Sequence, residues 1–287
     1  MNKRKNLRCP IGKHEPKHSD NNSTIKKMKA KYITIILLAI LTSCSHCEKE
    51  TVQIVAHRGL WKDTDAIENT IESLVNAENS SCHAVEFDVR LTKDNVIVLF
   101  HDNKVQGITI SESTIDEVKS IVLENGKTIP TLDEFLDAAK TMSIDLILEL
   151  KGAPTPEKEL QAVKLIKKSV SERNLLERTS FISFSLSACK SFIEHIDGSK
   201  VYYLCSSSTP EKILTPQQAK EIGLAGIDYS GKVMREHNEW IQECHELGLK
   251  VNVWTINKEE DMLHFIENGV DYITTDYPKL ALKLIGK

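Results

Sequence analysis

From Thr51 onward, short apolar runs alternate with longer segments whose apolar residues recur at helical spacing. Short runs rich in β-branched and aromatic side chains are typical of buried strands. Strands that alternate with helices predict βα units and a parallel sheet. The predicted strands span residues 52–56, 84–88, 97–100, 145–150, 180–183, 201–204, 226–229, 250–254 and 272–275.

The second and third predicted strands lie too close together in the chain for parallel neighbours. Little more than the stretch at residues 90–96 lies between them, whereas a parallel crossover needs about a dozen residues or more. The third strand is therefore predicted to form a hairpin-like excursion from the second. The remaining eight strands are the number that a TIM (β/α)₈ barrel requires, and this is the predicted α/β fold.

Several predicted helices begin at recognisable capping residues. Asn69 with Glu72, and Asn257 with Glu260, fit an N-cap followed by an acidic residue at N3. Thr155 followed by a proline fits an N-cap with proline at N1. We expect these residues to mark helix starts on the outside of the barrel.

The N-terminus has the pattern of an export signal. A basic stretch at residues 26–31 precedes an apolar stretch at 32–41, which is shorter than the roughly 20 residues needed to span a bilayer. The order Leu41-Thr42-Ser43-Cys44 resembles a bacterial lipobox, in which cleavage leaves a lipidated cysteine. The alternative is an ordinary signal peptide with a chance cysteine.

Lipidation at Cys44 divides the chain into three parts. Residues 1–44 are predicted to be a signal peptide with a lipobox, 45–51 a short tether, and 52–287 the barrel. The protein is expected on the periplasmic or cell-surface side of a membrane. Its lipid anchor at Cys44 would make that membrane a binding partner. Because residues 1–27 are unusually long and polar for such a signal, Met28 is a candidate for the true start.

Composition narrows the choice of function. The chain has 287 residues, of which 40% are hydrophobic and 27% charged, as expected for one globular domain with a full core. Its net charge of -4 provides no basic footprint, so a nucleic acid is not an expected partner. Composition predicts no particular oligomeric state.

Four polar clusters follow apolar runs, at the points where buried strands should end. Charged groups are costly to bury and normally lie in loops or on solvated faces. In a parallel barrel the strand ends converge on one rim, so clusters far apart in sequence become neighbours. The clusters are His57-Arg58-Gly59, Glu86-Phe87-Asp88, His101-Asp102 and Glu149-Leu150-Lys151.

Three carboxylates in these clusters point to a metal site. Glu86 and Asp88 are two residues apart and so face the same side of a strand, and Glu149 lies on the next barrel strand. Carboxylates gathered on one side repel each other, and a divalent cation with oxygen ligands, Mg²⁺, Ca²⁺ or Mn²⁺, relieves that repulsion. The alternative is a salt-bridge network, for example Glu149 with Lys151 or Glu86 with Arg90.

The remaining charged residues suit phosphate ester chemistry. His57 and His101 are candidates for general acid and base, because imidazole titrates near neutral pH. Arg58 and Lys151 would supply positive charge for a phosphodiester. Their alternative partners are Glu68 for the arginine and Glu149 for the lysine, and both roles can coexist.

Taken together, these residues resemble the glycerophosphodiester phosphodiesterases. The resemblance runs in order from about residue 52 to the C-terminus, and the joint order of several motifs is far more specific than any one of them. The matching segments are His57-Arg58-Gly59, Glu68-Asn69-Thr70, Glu86-Phe87-Asp88-Val89, Thr92-Lys93-Asp94, His101-Asp102, Pro130-Thr131-Leu132-Asp133-Glu134, Glu149-Leu150-Lys151, Trp254-Thr255 and Thr275-Asp276-Tyr277-Pro278.

The resemblance implies a TIM barrel and a role for several of the matching residues. Glu86, Asp88 and Glu149 would hold the metal, and His57 and His101 would act as acid and base. It implies further that Arg58 and Lys151 contact phosphate and that Trp254 lines the pocket, while Glu68 lies either near the metal or against Arg58.

The chain departs from the family pattern near the expected substrate end of the site. Ile67 replaces the usual proline, and residues 105–109 replace an Arg-Thr-Thr stretch. The segment from residue 103 to 129 is also short for the inserted lid of the family. Headgroup preference is therefore not predicted.

We expect metal-dependent hydrolysis of glycerophosphodiesters to glycerol 3-phosphate and an alcohol, with acid-base catalysis by histidine. One alternative is a phospholipase D-like or cyclising lyase, since a neighbouring substrate hydroxyl can attack the phosphorus. Another is a lipoprotein that binds phosphorylated ligands without turnover.

Overall fold

The computed structural model describes residues 51–62 and 64–287. The signal peptide, the lipobox with Cys44 and all but the last residue of the tether predicted at 45–51 lie outside the described residues. No helix in the described part of the chain is long and apolar enough to cross a membrane.

The described residues form the predicted (β/α)₈ barrel. Its strands run parallel, and the first pairs with both the second and the last, which closes the cylinder. All nine predicted strands are present, so the fold prediction is confirmed. The barrel strands are β1 (Gln53–Ala56), β2 (Ala84–Leu91), β6 (Asp145–Leu150), β7 (Thr179–Ser183), β8 (Lys200–Cys205), β9 (Gly226–Ser230), β10 (Lys250–Trp254) and β11 (Tyr272–Thr275).

The predicted excursion follows β2. Strand β3 (Ile97–Leu99) runs antiparallel to β2, with Leu99 opposite Val89. A small hairpin of β4 (Lys104–Val105) and β5 (Ile108–Thr109), which was not predicted, comes next. The excursion buries its own small apolar cluster of Val98, Ile110, Val118, Ile121 and Ile129. This separate core fixes the segment that carries His101.

Helices surround the barrel, and most begin at a threonine or serine cap that accepts a hydrogen bond from the first turn. Thr155 caps as predicted. They are α1 (Ile71–Asn79), α2 (Ile115–Lys119), α3 (Leu132–Ala139), α4 (Pro156–Glu172), α5 (Leu186–His195), α6 (Pro216–Ile222), α7 (Gly231–Glu236), α8 (Trp240–Glu246), α9 (Glu259–Asn268) and α10 (Pro278–Leu284).

Two of the predicted caps are wrong. The N-cap of α1 is Thr70, whose hydroxyl forms a capping box with Ser73. The N-cap of α9 is Lys258, which makes no side-chain capping bond. Asn69 and Asn257 instead turn their amides towards acidic residues at the rim of the barrel. Asparagine before an acidic residue fits either role, and only the tertiary contacts decide between them.

Alternate side chains of a barrel strand point to opposite sides, so one set packs in the apolar core and the other faces the inside of the barrel. On β2, Val85, Phe87 and Val89 belong to the main apolar core, whereas Glu86 and Asp88 alternate with them and face the opposite side. Phe87 packs on Phe135 of α3 at a ring-centroid distance of 4.4 Å. The same alternation that buries the aromatic side chain thus directs the two carboxylates inward.

Candidate active site

The three predicted metal-binding carboxylates lie together at one end of the barrel. Asp88 on β2 is in register with Glu149 on β6, and Glu86 lies two residues earlier on β2. One oxygen from each of the three lies within 4.8 Å of the others, and all three side chains are buried. Strand pairing therefore brings together groups that are far apart in sequence.

Burial and mutual repulsion disfavour three negative charges here. Burial, with Asp88 and Glu149 nearby, raises the pKa of Glu86 well above its usual value. Burial next to Asp88 raises the pKa of Glu149 to about 7. Burial also opposes ionisation of Asp88, but Lys151 and Arg58 prevail and lower its pKa. Added positive charge would stabilise the ionised form of the cluster.

The cluster fits a hard divalent cation. Glu86 Oε1 is buried and has no hydrogen-bond partner among the described residues. Every candidate metal ligand in the cluster is a carboxylate oxygen, the ligand that Ca²⁺ and Mg²⁺ prefer. Of the two salt bridges offered as the alternative, only one forms. Glu149 pairs with Lys151 at 2.7 Å, whereas Arg90 donates instead to the His101 carbonyl oxygen.

Asn69 positions the most buried of the three carboxylates. Its Nδ2 donates to Asp88 Oδ2 at 2.8 Å, and its Oδ1 accepts from the Asp88 backbone N–H at 2.9 Å. Asn69 adopts a φ of 57°, in the left-handed region that asparagine tolerates better than most residues. The two-point contact fixes the orientation of Asp88.

Arg58 and Lys151 lie against the acidic cluster and extend to the cavity. Arg58 donates to Glu68 at 2.9 Å, and its Nε is 3.3 Å from Asp88. Lys151 Nζ lies 3.1 Å from Asp88 and 2.7 Å from Glu149. Burial opposes both charges, but these carboxylates outweigh it and raise the pKa of each. Of the two placements predicted for Glu68, the structure has the one against Arg58.

His57 is oriented by Asp276, which lies in one of the matching segments but for which the sequence predicted no role. His57 Nδ1 is 2.6 Å from Asp276 Oδ1, so the ionised carboxylate accepts a hydrogen bond from Nδ1–H, and Nε2 faces Glu86 at 3.9 Å. Asn257 Nδ2 donates to the other oxygen of Asp276 at 2.7 Å. Burial opposes ionisation of Asp276, yet its contact with His57 lowers its pKa.

His101 reaches the same cavity from the excursion. Its Nδ1 lies 2.7 Å from Asp102 Oδ1, but this carboxylate is 71% exposed. Burial lowers the pKa of His101. Arg90 holds the His101 carbonyl oxygen through two hydrogen bonds. Each histidine therefore has its own carboxylate partner at Nδ1, and the side chain of His57 is more buried than that of His101.

A single cavity of about 160 Å³ joins the charged residues to an apolar wall. The predicted pocket residue Trp254 lies in that wall with Ile182, Phe184 and Leu204. Trp254 Nε1 donates to the Asp228 carbonyl oxygen at 2.9 Å, and its ring meets that of Phe184 edge to face. Asp228 also lines the cavity and is fully buried.

Sequence reasoning missed several residues of the site, and two had left a signal. Asp276 follows the last barrel strand, as the other clusters follow theirs, and Asp228 is a charged residue inside an apolar run. Phe184 and Leu204 left none, because an apolar side chain near a strand end is also what a core requires.

Comparison with known proteins agrees with this geometry. The sequence profile of the Glycerophosphoryl diester phosphodiesterase family matches residues 57–280. A glycerophosphodiester phosphodiesterase of Caldanaerobacter subterraneus is 28% identical over 251 residues, which cover 82% of this chain and 98% of that protein.

Two crystal structures share the fold over most of both chains. A glycerophosphodiester phosphodiesterase from Parabacteroides distasonis has a TM-score of 0.79 and 41% identity, covering 83% of this chain and 98% of that one. An Oleispira antarctica phosphodiesterase, in complex with its product sn-glycerol-3-phosphate, has a TM-score of 0.72 and 25% identity, with 83% and 98% covered. The predicted family and the predicted class, a phosphoric diester hydrolase, are confirmed, and the chain belongs to the glycerophosphoryl diester phosphodiesterase family.

Proposed function

We propose that this protein hydrolyses glycerophosphodiesters to glycerol 3-phosphate and an alcohol, with a divalent cation held by Glu86, Asp88 and Glu149. The observation that carries the proposal is the juxtaposition of this buried carboxylate cluster with two carboxylate-bound histidines around one cavity. The Oleispira antarctica relative, bound to sn-glycerol-3-phosphate, supports the identity of the product.

Arg58 and Lys151 bind and orient the phosphoryl group. Both line the cavity, and both remain charged because carboxylates surround them. Arg58 presents a planar guanidinium that matches phosphate oxygens, while Lys151 acts as a point charge. Glu68 holds the guanidinium from the side. A divalent cation held by Glu86, Asp88 and Glu149 would supply neutralisation of phosphoryl charge and would make the attacking water more acidic.

His57 and His101 move the protons. One accepts a proton at Nε2 from the attacking water as its oxygen bonds to phosphorus, and the other donates a proton from Nε2 to the leaving alcohol oxygen as the P–O bond breaks. Their Nδ1 atoms are held by Asp276 and Asp102, so each ring offers its other nitrogen to the substrate. Because one histidine acts as base and the other as acid, the new P–O bond can form and the old one can break without free hydronium or hydroxide.

A product screen tests the function. Purified protein is incubated with glycerophosphodiesters of choline, ethanolamine, glycerol and inositol, each with Ca²⁺, Mg²⁺ or Mn²⁺, and phosphorus NMR follows the products. Glycerol 3-phosphate is the expected product. A cyclic phosphate at early times would identify the cyclising lyase instead, and no turnover with any cation would favour the non-catalytic lipoprotein.

Leaving-group dependence assigns the two histidines. Nitrophenolate departs without protonation, so a nitrophenyl phosphodiester does not need the general acid. The alanine variant that loses the general acid should regain activity on this substrate, while the variant that loses the base should not. Equal losses on both substrates in both variants would contradict the proposed division of roles.

We also propose that the protein is anchored to a membrane, outside the cytoplasm, by lipidation of Cys44. The support is the basic stretch, the short apolar stretch and the lipobox-like order of residues 41–44. Metabolic labelling with a fatty acid should mark the wild-type chain but not Cys44→Ala. Labelling of both chains, or of neither, would contradict the assignment of Cys44.

A further inference from the structure

Asp228 is a carboxyl group in the interior of the barrel that the proposed mechanism does not use. It lies in the middle of β9 and is 1% exposed. An ionisable side chain in such a position is costly unless a charge or hydrogen-bond partner compensates it. A buried carboxyl group on the wall of a catalytic cavity therefore calls for an explanation.

Within the described chain, Asp228 forms no ion pair, and its Oδ1 accepts no hydrogen bond. Burial raises its pKa to about 8, and only the Asn252 side chain favours its charged form. The carboxyl group is therefore mainly neutral at pH 7. A neutral carboxyl group can donate and accept a hydrogen bond, which is the pairing that a hydroxyl group needs.

Asp228 forms part of the boundary between two cavities. The catalytic cavity of about 160 Å³ lies on one side, and on the other lies a smaller cavity of about 40 Å³ lined by Tyr202, Asn252 and Tyr272. The smaller one has room only for water. The catalytic cavity is the one that receives substrate, and Trp254, whose indole donates to the Asp228 backbone carbonyl oxygen, lines it together with Asp228.

We propose that the Asp228 side chain binds a hydroxyl group of the glyceryl moiety in the catalytic cavity and thereby selects glyceryl over less hydroxylated esters. The inference rests on the proposed function and specifies how that site recognises its substrate. A bound hydroxyl group satisfies Oδ1, whereas an ester without that hydroxyl leaves a buried polar atom unpaired. Sites built in this way discriminate strongly against analogues that lack the hydrogen-bonding group.

The test combines side-chain removal with hydroxyl removal. The substrates are glycerophosphocholine and the phosphocholine esters of propane-1,2-diol and propane-1,3-diol, each of which lacks one glyceryl hydroxyl. Asp228→Leu should lower kcat/KM for glycerophosphocholine about tenfold and leave the rate on one of the two diol esters unchanged. Asp228→Asn, which keeps a donor and an acceptor, should restore most of the preference. Asp228→Ala replaces the leucine variant if that chain does not fold.

Tyr272→Phe is the matched control, because it removes a polar atom from the smaller cavity only. It should leave the ratio between the substrates at the wild-type value. A loss in Asp228→Leu that is equal on all three substrates would overturn the proposal in favour of a structural role. So would a failure of Asp228→Asn to restore the ratio.

A binding measurement separates this inference from the proposed function. Calorimetric titration with glycerol 3-phosphate and with propyl phosphate needs no turnover. Wild-type protein should bind glycerol 3-phosphate more tightly, and Asp228→Leu should bring the two affinities within about twofold. Turnover of glycerophosphocholine with no such difference would overturn the role of Asp228 alone. Binding without turnover would overturn the proposed hydrolysis and retain the role of Asp228.

Discussion

The two halves of the barrel contribute different chemistry to one cavity. Strands β1, β2 and β6, with the excursion after β2, carry or lead into the two histidines, the carboxylate cluster and the basic residues Arg58 and Lys151. Strands β7, β8 and β10 carry or lead into the apolar wall of Ile182, Phe184, Leu204 and Trp254. In the proposed mechanism, the first half holds the groups that act on a phosphoryl centre, and the second offers a surface for the carbon skeleton of a substrate.

This difference predicts how variants should divide. Changes in the charged half should lower kcat, because the groups there act on charge and protons in the transition state. Changes in the apolar half should raise KM, because apolar contacts form with substrate and transition state alike. The loss of catalytic activity should be largest when the cation is removed. It should then decrease in the order of a general acid-base histidine, the carboxylate that orients it and the apolar wall.

Removal of the divalent cation should have the largest effect. Chelation should reduce activity to background, since Glu86, Asp88 and Glu149 would again repel each other and the phosphoryl charge. Glu86→Gln should raise the cation concentration needed for half-maximal activity, measured by titration after dialysis. Phe184→Ala is the control in the other half, and its cation requirement should equal that of the wild type. Full activity in excess chelator would refute the metal site.

His57→Ala should come next, with a loss in kcat of roughly 1,000-fold, because it removes a proton-transfer group from the transition state. Steady-state kinetics with glycerophosphocholine measures it, and circular dichroism checks the fold. His195→Ala is a matched control, since His195 lies at the end of α5, away from the cavity, and its Nδ1 donates to the Ser191 carbonyl oxygen of its own helix. A His57 variant within threefold of wild type would exclude the acid-base role.

Asp276→Asn should lower kcat by roughly 100-fold, because an amide can donate to His57 Nδ1 and so select the wrong tautomer. The position of the pH-rate profile, which a purely structural change would leave in place, should move as well. Asp102→Asn is the comparison, and its effect should be smaller since Asp102 is 71% exposed. Equal effects of the two variants would contradict the unequal support of the histidines.

Phe184→Ala should have the smallest effect. Its side chain is 46% exposed and contacts Trp254 edge to face, so its loss removes only part of an apolar contact. We expect KM to rise about fivefold, with kcat within twofold of wild type. A kcat loss as large as that of the Asp276 variant would break the distinction between the two halves.

Most of the charged half of the site could be predicted from sequence, although the role of Asp276 could not, whereas Trp254 was the only predicted residue of the described apolar wall. Glu86, His101 and Glu149 stand out because charge is rare at the end of a buried run, and closure of the barrel then brings them to one rim. Ile182 and Leu204 look like any core residue. Their role depends on which side of the strand faces the cavity, which only the folded barrel decides.

Helix-cap patterns gave wrong predictions where the same residue type can serve either as a cap or as a partner of a distant carboxylate. Asn69 and Asn257 fit helix caps in sequence, yet they hold Asp88 and Asp276 across the rim. The distance between partners in the chain, 19 residues in each case, hides such pairs from local reasoning. The strands, in contrast, were predicted because each one needs only its own apolar run and a boundary.

Hydrolysis at the charged half of the cavity can be followed in a single assay. Phosphorus NMR of glycerophosphocholine, incubated with a divalent cation and either wild-type protein or His57→Ala, reports substrate and products together. Wild-type protein should form glycerol 3-phosphate, and chelation or the His57 substitution should abolish this product. Persistence of the diester with the wild-type protein under every cation, or equal turnover by the His57 variant, would contradict the proposed mechanism.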